Sequence, residues 1–375
     1  SAAHAADPGP DDDRGPVGGG AGVAAGAGRG SGSGGSPSAN LDQAERYVKE
    51  MGLASYIAKR VLQGFFTVIV AVTIIFFLVN LAPGNPIYFI AGDPVFLSPA
   101  VVEYYTKLWG LDKPLYERYF IYLSNLFRGE LGNSYRFGGP VAQVMLERIP
   151  LTLSLTVTSN VIAFLAGTFL GLRAARSFGR GLDSALTVTT FFFNSIPGFF
   201  LGILLMLTFG VYLKLFPVAG LMDLRNPKTG VMLYLDIAYH AFLPVLTLTL
   251  ILLPAYFKTV RDSAVQQLGE DYVLTLRAVG MDERRIFDKH ILRNVILPPI
   301  TLLAIRLGFS LAGAALIENV FGWPGMGRLL LDSIRERDYP VLMGIYFVVV
   351  VSIVSISIVL DAIYGILDPR IKSGE

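Results

Sequence analysis

No cysteine occurs among the 375 residues. That excludes a disulfide framework, a thiolate metal site and a cysteine nucleophile. Charge is scarce as well: Asp, Glu, Lys and Arg make up 16% of the chain, and the formal net charge is +2. So small an excess of one sign gives no footing for nucleic acid. Histidine is limited to His4, His240 and His290, and His290 has no nucleophile or metal-ligating partner at a useful spacing. No GxxxxGK[ST] stretch is present, so the chain contains no phosphate cradle for a nucleotide. These absences remove every recognisable catalytic constellation and imply a non-enzyme with no cofactor or metal site of its own.

What is abundant is apolar sequence. Hydrophobic residues make up 53% of the chain and the mean hydropathy is +0.55, far from the balance of a soluble enzyme. Crossing roughly 30 Å of hydrocarbon takes about 20 apolar residues. Runs of that kind occur near 57–82, 151–175, 185–213, 242–260, 299–321 and 341–366. The expected fold is therefore an all-α integral membrane domain of six transmembrane helices, covering 51–375. Residues 1–50 are expected to be a disordered N-terminal tail, native or appended. Their first forty are Gly, Ala, Ser and Pro with an Asp11-Asp12-Asp13 run, which cannot bury a core, and they lack the basic start and apolar stretch of a secretory signal. LDQAERYVKE (41–50) is suited to a short helical lead-in.

Orientation is read from Lys and Arg in the short loops. Lys49, Lys59 and Arg60, then Arg173, Arg176 and Arg180, then Lys258 and Arg261, and finally Arg370 and Lys372 fall on one side. This places both termini in the cytoplasm and the loops 83–150, 214–241 and 322–340 outside. The first outer loop carries the helical patterns VVEYYTKLWGL and YERYFIYLSNLF and should fold into a small cap. Loop 322–340 opens with GWPGMGRLL, followed by an amphipathic helix from Leu329 to Arg337, too short to span and so a surface or re-entrant element. Pro150 is expected at the start of the second span, where its missing N–H costs nothing.

Inside the spans, Gly167 and Gly171, and Gly198 and Gly202, have the small-xxx-small spacing that lets helices approach closely. Asn194 and Ser195 precede Pro197-Gly198, where proline interrupts the helical hydrogen-bond ladder. With the buried amide Asn160 they are candidates either for a polar pathway lining or for interhelical hydrogen bonds. Arg306 and Glu318 in the fifth span, and Asp361 in the sixth, are costly in hydrocarbon. On one helix Arg306 and Glu318 would be about 18 Å apart and unable to pair. Glu318 is retained as a pathway candidate, and Arg306 and Asp361 are assigned to end-anchoring and packing.

The stretch from Tyr272 to Pro298, YVLTLRAVGMDERRIFDKHILRNVILP, lies within the inner loop 261–298. It reads as two short helices joined at Gly280. Arg277, Arg284, Arg285, Lys289 and Arg293 carry the charge, and Leu274, Leu276, Ile286, Phe287, Ile291 and Leu292 form apolar ridges. A loop between spans has no need of helical amphipathicity unless something soluble packs against it.

That stretch, extended to 271–298, together with ENVFGWPGMGRLLLDSIRERDYPVLMG (318–344) and LDPRIK (367–372), resembles the oligopeptide/dipeptide permease family of ABC importers, specifically the first of its two membrane subunits. LAPGNP (81–86) and GLDKPLYERY (110–119) carry the same resemblance. It implies the type I importer permease fold with folded extracytoplasmic loops, and alternating-access import of short peptides. It also implies the partners: a second homologous permease, two ATPase subunits that bind the ATP and Mg, and an extracytoplasmic substrate-binding protein, all assembled in the inner membrane lipid. By the same resemblance, Arg277, Ala278, Gly280, Arg284 and Arg285 form the surface that docks on the ATPase. Leu274-Thr275-Leu276 stand where the general importer pattern has Glu-Ala-Ala, as is usual in the peptide branch. A same-fold importer of nickel, glutathione or short oligosaccharides is the alternative. An ion-gradient secondary transporter would need paired carboxylates or broken helices at mid-depth.

Overall fold

The computed structural model describes residues 37–83, 86–91 and 98–367. The chain divides into a short unit, 1–47, and a unit of 48–375. Of the tail expected over 1–50, residues 1–36 lie outside the described residues. Residues 37–50 are helical and open α1 (Pro37–Leu81), because LDQAERYVKE holds neither proline nor glycine.

The cap helices follow: α2 (Pro86–Ala91), α3 (Pro99–Leu108) and α4 (Leu115–Phe127). Next come α5 (Val141–Arg176), α6 (Gly181–Ser195), α7 (Gly198–Leu205, continued as a π-helical turn to Tyr212) and α8 (Val231–Leu268). The remainder is α9 (Asp271–Ala278), α10 (Glu283–Leu311), α11 (Ala315–Val320), α12 (Met326–Glu336) and α13 (Tyr339–Leu367). No strand occurs among the described residues.

Five helices are long and apolar enough to cross a membrane: the Ser55–Leu81 part of α1, then α5, α8, α10 and α13. The sixth crossing is broken. α6 and α7 meet at 99°, so the straight span expected over 185–213 is corrected to two helices. Ile196 is forced extended (ψ 128) by the proline that follows it, and Pro197 has no N–H to continue the ladder.

α5 and α8 form the centre and run parallel. Their contact depends on two glycines. A Cβ on Gly167 would sit 2.7 Å from Cβ of Tyr256, and one on Gly171 would sit 2.8 Å from the Phe257 carbonyl oxygen. The small-xxx-small spacing therefore does bring backbones together here. α5 begins well before the apolar run, so Pro150 lies inside a helix rather than at its start. The carbonyl that Pro150 leaves unbonded is that of Leu146, whose side chain is exposed.

α1 runs antiparallel to α13, with Arg60 paired to Asp361 at 3.2 Å near one end and Asn80 beside Met343 near the other. Residues 131–140, 213–230 and 312–338 share one end of the bundle, while α4 lies along α1, with Tyr122 stacked on Phe76 and the Phe127 ring 6.4 Å from that of Phe65. There the Ser134 hydroxyl donates to Asp338 at 2.5 Å and the Gly220 amide to the Phe321 carbonyl at 2.9 Å. At the opposite end the Arg261 guanidinium grips Asp183 through two bonds, 2.7 and 2.9 Å long, and Arg176 pairs with Asp288.

Candidate functional site

The segment from Tyr272 to Pro298 is helical, but not as two short helices. α9 ends in a Schellman turn: the Gly280 amide donates to the Arg277 carbonyl (3.0 Å) and the Met281 amide to that of Leu276 (3.1 Å). Gly280 has φ 78, and a Cβ there would meet nothing, so conformation rather than space demands glycine. Asp282 then caps the next helix by accepting the Arg284 amide. That helix runs without a break in direction into the fifth span as α10. The second helix of the hairpin and the fifth apolar span are thus one element, which carries a π-helical turn at Ile286–Ile291 and continues past Pro298 and Pro299.

One side of this hairpin is core. Val273, Ile286, Phe287, Ile291 and Val295 are buried against Ala175, Val260 and Ala264. The Tyr272 hydroxyl and the Asn294 amide both donate to Gln267, at 2.8 and 3.1 Å. The other side is open. Arg277, Ala278, Gly280, Arg284 and Arg285 are all exposed. So are Leu274 (66%) and Val279 (71%); Leu274 was expected on an apolar ridge and instead faces outward. Arg277 reaches across the turn to Glu283 (2.5 Å), and that hydrogen bond raises the Arg277 pKa above its ordinary value. Arg284 pairs loosely with Asp288 at 3.8 Å.

The outer end holds a second constellation. Glu318 was expected within the fifth span, but that span ends at Leu311, the chain turns at Gly313, and Glu318 sits on α11. Its side chain is fully buried. It accepts the Thr152 hydroxyl at 2.9 Å and the Arg328 amide at 2.9 Å. Burial pushes the Glu318 carboxyl up, and these donors pull the other way. The Met326 amide donates to Thr152 at 2.7 Å, and the Trp323 indole donates to the Leu151 carbonyl at 3.0 Å. GWPGMG is therefore a strap drawn over α5 at Leu151 and Thr152. Its helix, α12, begins at Met326, before the expected Leu329.

Among the interior candidates, Asn160 is buried and bonded on both sides. It donates to the Thr156 carbonyl at 2.9 Å and accepts the Tyr256 hydroxyl at 3.1 Å. Asn194 and Ser195 are not brought to it. They lie at the α6–α7 break with exposed side chains, and Ser195 bonds back to the Phe191 carbonyl at 2.9 Å. Thr152, Thr156 and Asn160 instead form one stripe down α5, with the Thr156 hydroxyl donating to the Thr152 carbonyl at 2.8 Å. That i, i+4, i+8 spacing was present in TLSLTVTSN (152–160) but was not singled out. Asp361 is anchored by its ion pair with Arg60, while Arg306, expected in the same end-anchoring and packing role, has no ionic anchor among the described residues. The terminal LDPRIK lies, past Leu367, outside the described residues.

Comparison with known proteins matches this architecture. Residues 167–373 match the family described as binding-protein-dependent transport system inner membrane component, and residues 53–156 match its N-terminal companion family. The dipeptide transport system permease protein DppB of Escherichia coli is 33% identical over 314 residues, 79% of this chain and 92% of the relative. The oligopeptide transport system permease protein AppB of Bacillus subtilis is 33% identical over 322 residues, covering 85% and 100%. The di/tripeptide transport system permease protein DppB of Pseudomonas aeruginosa is 34% identical over 337 residues, covering 85% and 99%. With a six-crossing apolar bundle, an exposed amphipathic hairpin continuous with its fifth span and two family matches over nearly all of 53–373, this chain belongs to the inner membrane components of binding-protein-dependent transport systems.

Proposed function

We propose that the chain is the membrane-spanning subunit of an ATP-driven importer of short peptides, and that the 271–298 hairpin is where energy enters. The observation that carries this reading is the hairpin's division into a buried face and an open one. Val273, Ile286 and Phe287 fasten it to α5 and α8, while Arg277, Ala278, Gly280, Arg284 and Arg285 are left exposed beside Leu274 and Val279. An apolar-and-cationic surface of this kind suits docking in a groove of another protein. Because α10 continues from the hairpin into the membrane, a push on the exposed face would tilt a whole span as a lever.

The hairpin end of the bundle lies in the cytoplasm with both termini, in line with the Lys and Arg of its short loops. ATP and Mg belong to two ATPase subunits, a second homologous permease completes the pathway, and an extracytoplasmic binding protein delivers cargo to the cap and strap. Peptide cargo rests on the relatives, whose names specify dipeptide, oligopeptide and di/tripeptide transport.

The test is a reconstituted complex carrying Gly280→Pro, or Arg284→Glu with Arg285→Glu. Binding-protein-stimulated ATP hydrolysis and peptide uptake should both be lost while the bundle remains folded by circular dichroism and gel filtration. Normal transport-linked hydrolysis in either variant would sink the docking assignment.

A further inference from the structure

Arg306 lies inside the fifth apolar span, on α10. A cation at that depth is costly and is retained where it pairs or serves the transported species. Here it does not pair. No hydrogen-bond or ion-pair partner for its guanidinium is found among the described residues, and its Nε is buried without an acceptor. What holds it is the face of Tyr256, with the guanidinium carbon 5.7 Å from the ring centre. The ring is itself fixed. Tyr256 is fully buried, its hydroxyl donates to Asn160 at 3.1 Å, and Asn160 is bonded to the Thr156 carbonyl at 2.9 Å. A cation–π contact positions a guanidinium without using up its N–H donors. On α10, Ile305 (43% exposed) and Phe309 (51%) flank Arg306, which is itself half-buried. The group therefore stands at the margin between the α5–α8 interior and an open face of the bundle.

We propose that Arg306 is a substrate-binding residue that receives the C-terminal carboxylate of the transported peptide, with Tyr256 and Asn160 as positioning residues. The inference rests on the peptide-importer reading above. A guanidinium presents a planar fork that matches a carboxylate through two parallel hydrogen bonds. A free carboxylate terminus is common to linear peptides whatever their side chains, so a single fixed cation can serve a cargo of variable sequence. A neutral sugar or a metal cation would gain nothing from it.

The test uses the full complex in proteoliposomes with its binding protein, a tripeptide with a free C-terminus, and the same tripeptide as its C-terminal amide. Each peptide is supplied at binding-protein saturation, checked by its own Kd, so that the membrane step is compared. The free-acid to amide uptake ratio within one preparation cancels differences in how much complex assembles. Wild type should favour the free acid by about tenfold or more, the scale of one lost charge-assisted contact. Arg306→Gln should bring the ratio close to one, and Arg306→Lys should fall between them. A wild-type ratio near one, or a ratio unchanged in Arg306→Gln, overturns the assignment. Wild type that moves neither peptide in the presence of ATP overturns the importer reading, and the assignment with it.

Discussion

The hydroxyl of Thr152 donates to Glu318 at 2.9 Å while accepting the amide of Met326 at 2.7 Å. One side chain inside α5 thus joins two chain segments that follow it by more than 160 residues. Every polar atom of this knot is matched, which is what permits a carboxylate to be fully buried there. Thr152→Val keeps the shape and removes both bonds. It should cost about 1–3 kcal/mol, the desolvation penalty of an unsatisfied buried group. Thermal unfolding of the purified complex, with proteolysis at 322–338 as a local readout, measures it. Glu318→Gln should cost less than Thr152→Val, since the amide oxygen can still accept the Arg328 amide while its nitrogen donates to the Thr152 hydroxyl.

Gly325 stands beside the same knot. A Cβ there would press on the Thr152 hydroxyl and lie 2.5 Å from Glu318 Oε2. Gly325→Ala should therefore displace the strap, at about 1–3 kcal/mol for overpacking. Gly139→Ala, where an added Cβ meets nothing, is the control. Equal unfolding temperatures for the two variants would show that the strap yields freely.

At the opposite end, Asp183 and Arg261 form a bidentate pair with side chains 5% and 21% exposed. Asp183→Ala leaves the Arg261 guanidinium with Asp262 alone, 3.2 Å away, and should cost about 1–3 kcal/mol, less than the loss of the sole partner of a buried charge. The double variant Asp183→Ala/Arg261→Ala should recover part of that loss. A double-mutant cycle by denaturant unfolding reads the coupling directly; additive losses would mean that the pair does not act as a unit.

Arg277 and Glu283 bridge the Gly280 turn on the exposed face, 40% and 64% open. An ion pair so hydrated contributes little to folding, so Glu283→Ala should leave the unfolding temperature unchanged. Arg277→Ala should lower binding-protein-stimulated ATP hydrolysis, and Glu283→Ala should not. Equal depression by both would make the pair an internal brace of the turn and remove Arg277 from the docking surface.

Much of this protein was legible in its sequence because bilayer thickness sets the length of an apolar run. Five of six spans, the cap helices and the Gly280 turn follow from local composition. The five residues proposed for docking come from resemblance, and the fold leaves all five exposed. Local sequence did not show which polar residues meet. Thr152 and Glu318, Asp183 and Arg261, and Tyr256 and Asn160 are each separated by at least 78 residues. Hydropathy carries no information about such partners. The 99° bend at Ile196–Pro197 was signalled by proline, but its angle depends on what α6 and α7 pack against. Arg306 shows the same division: sequence puts a cation in a span, and only the packed bundle leaves that cation on the face of Tyr256 with no counter-ion among the described residues.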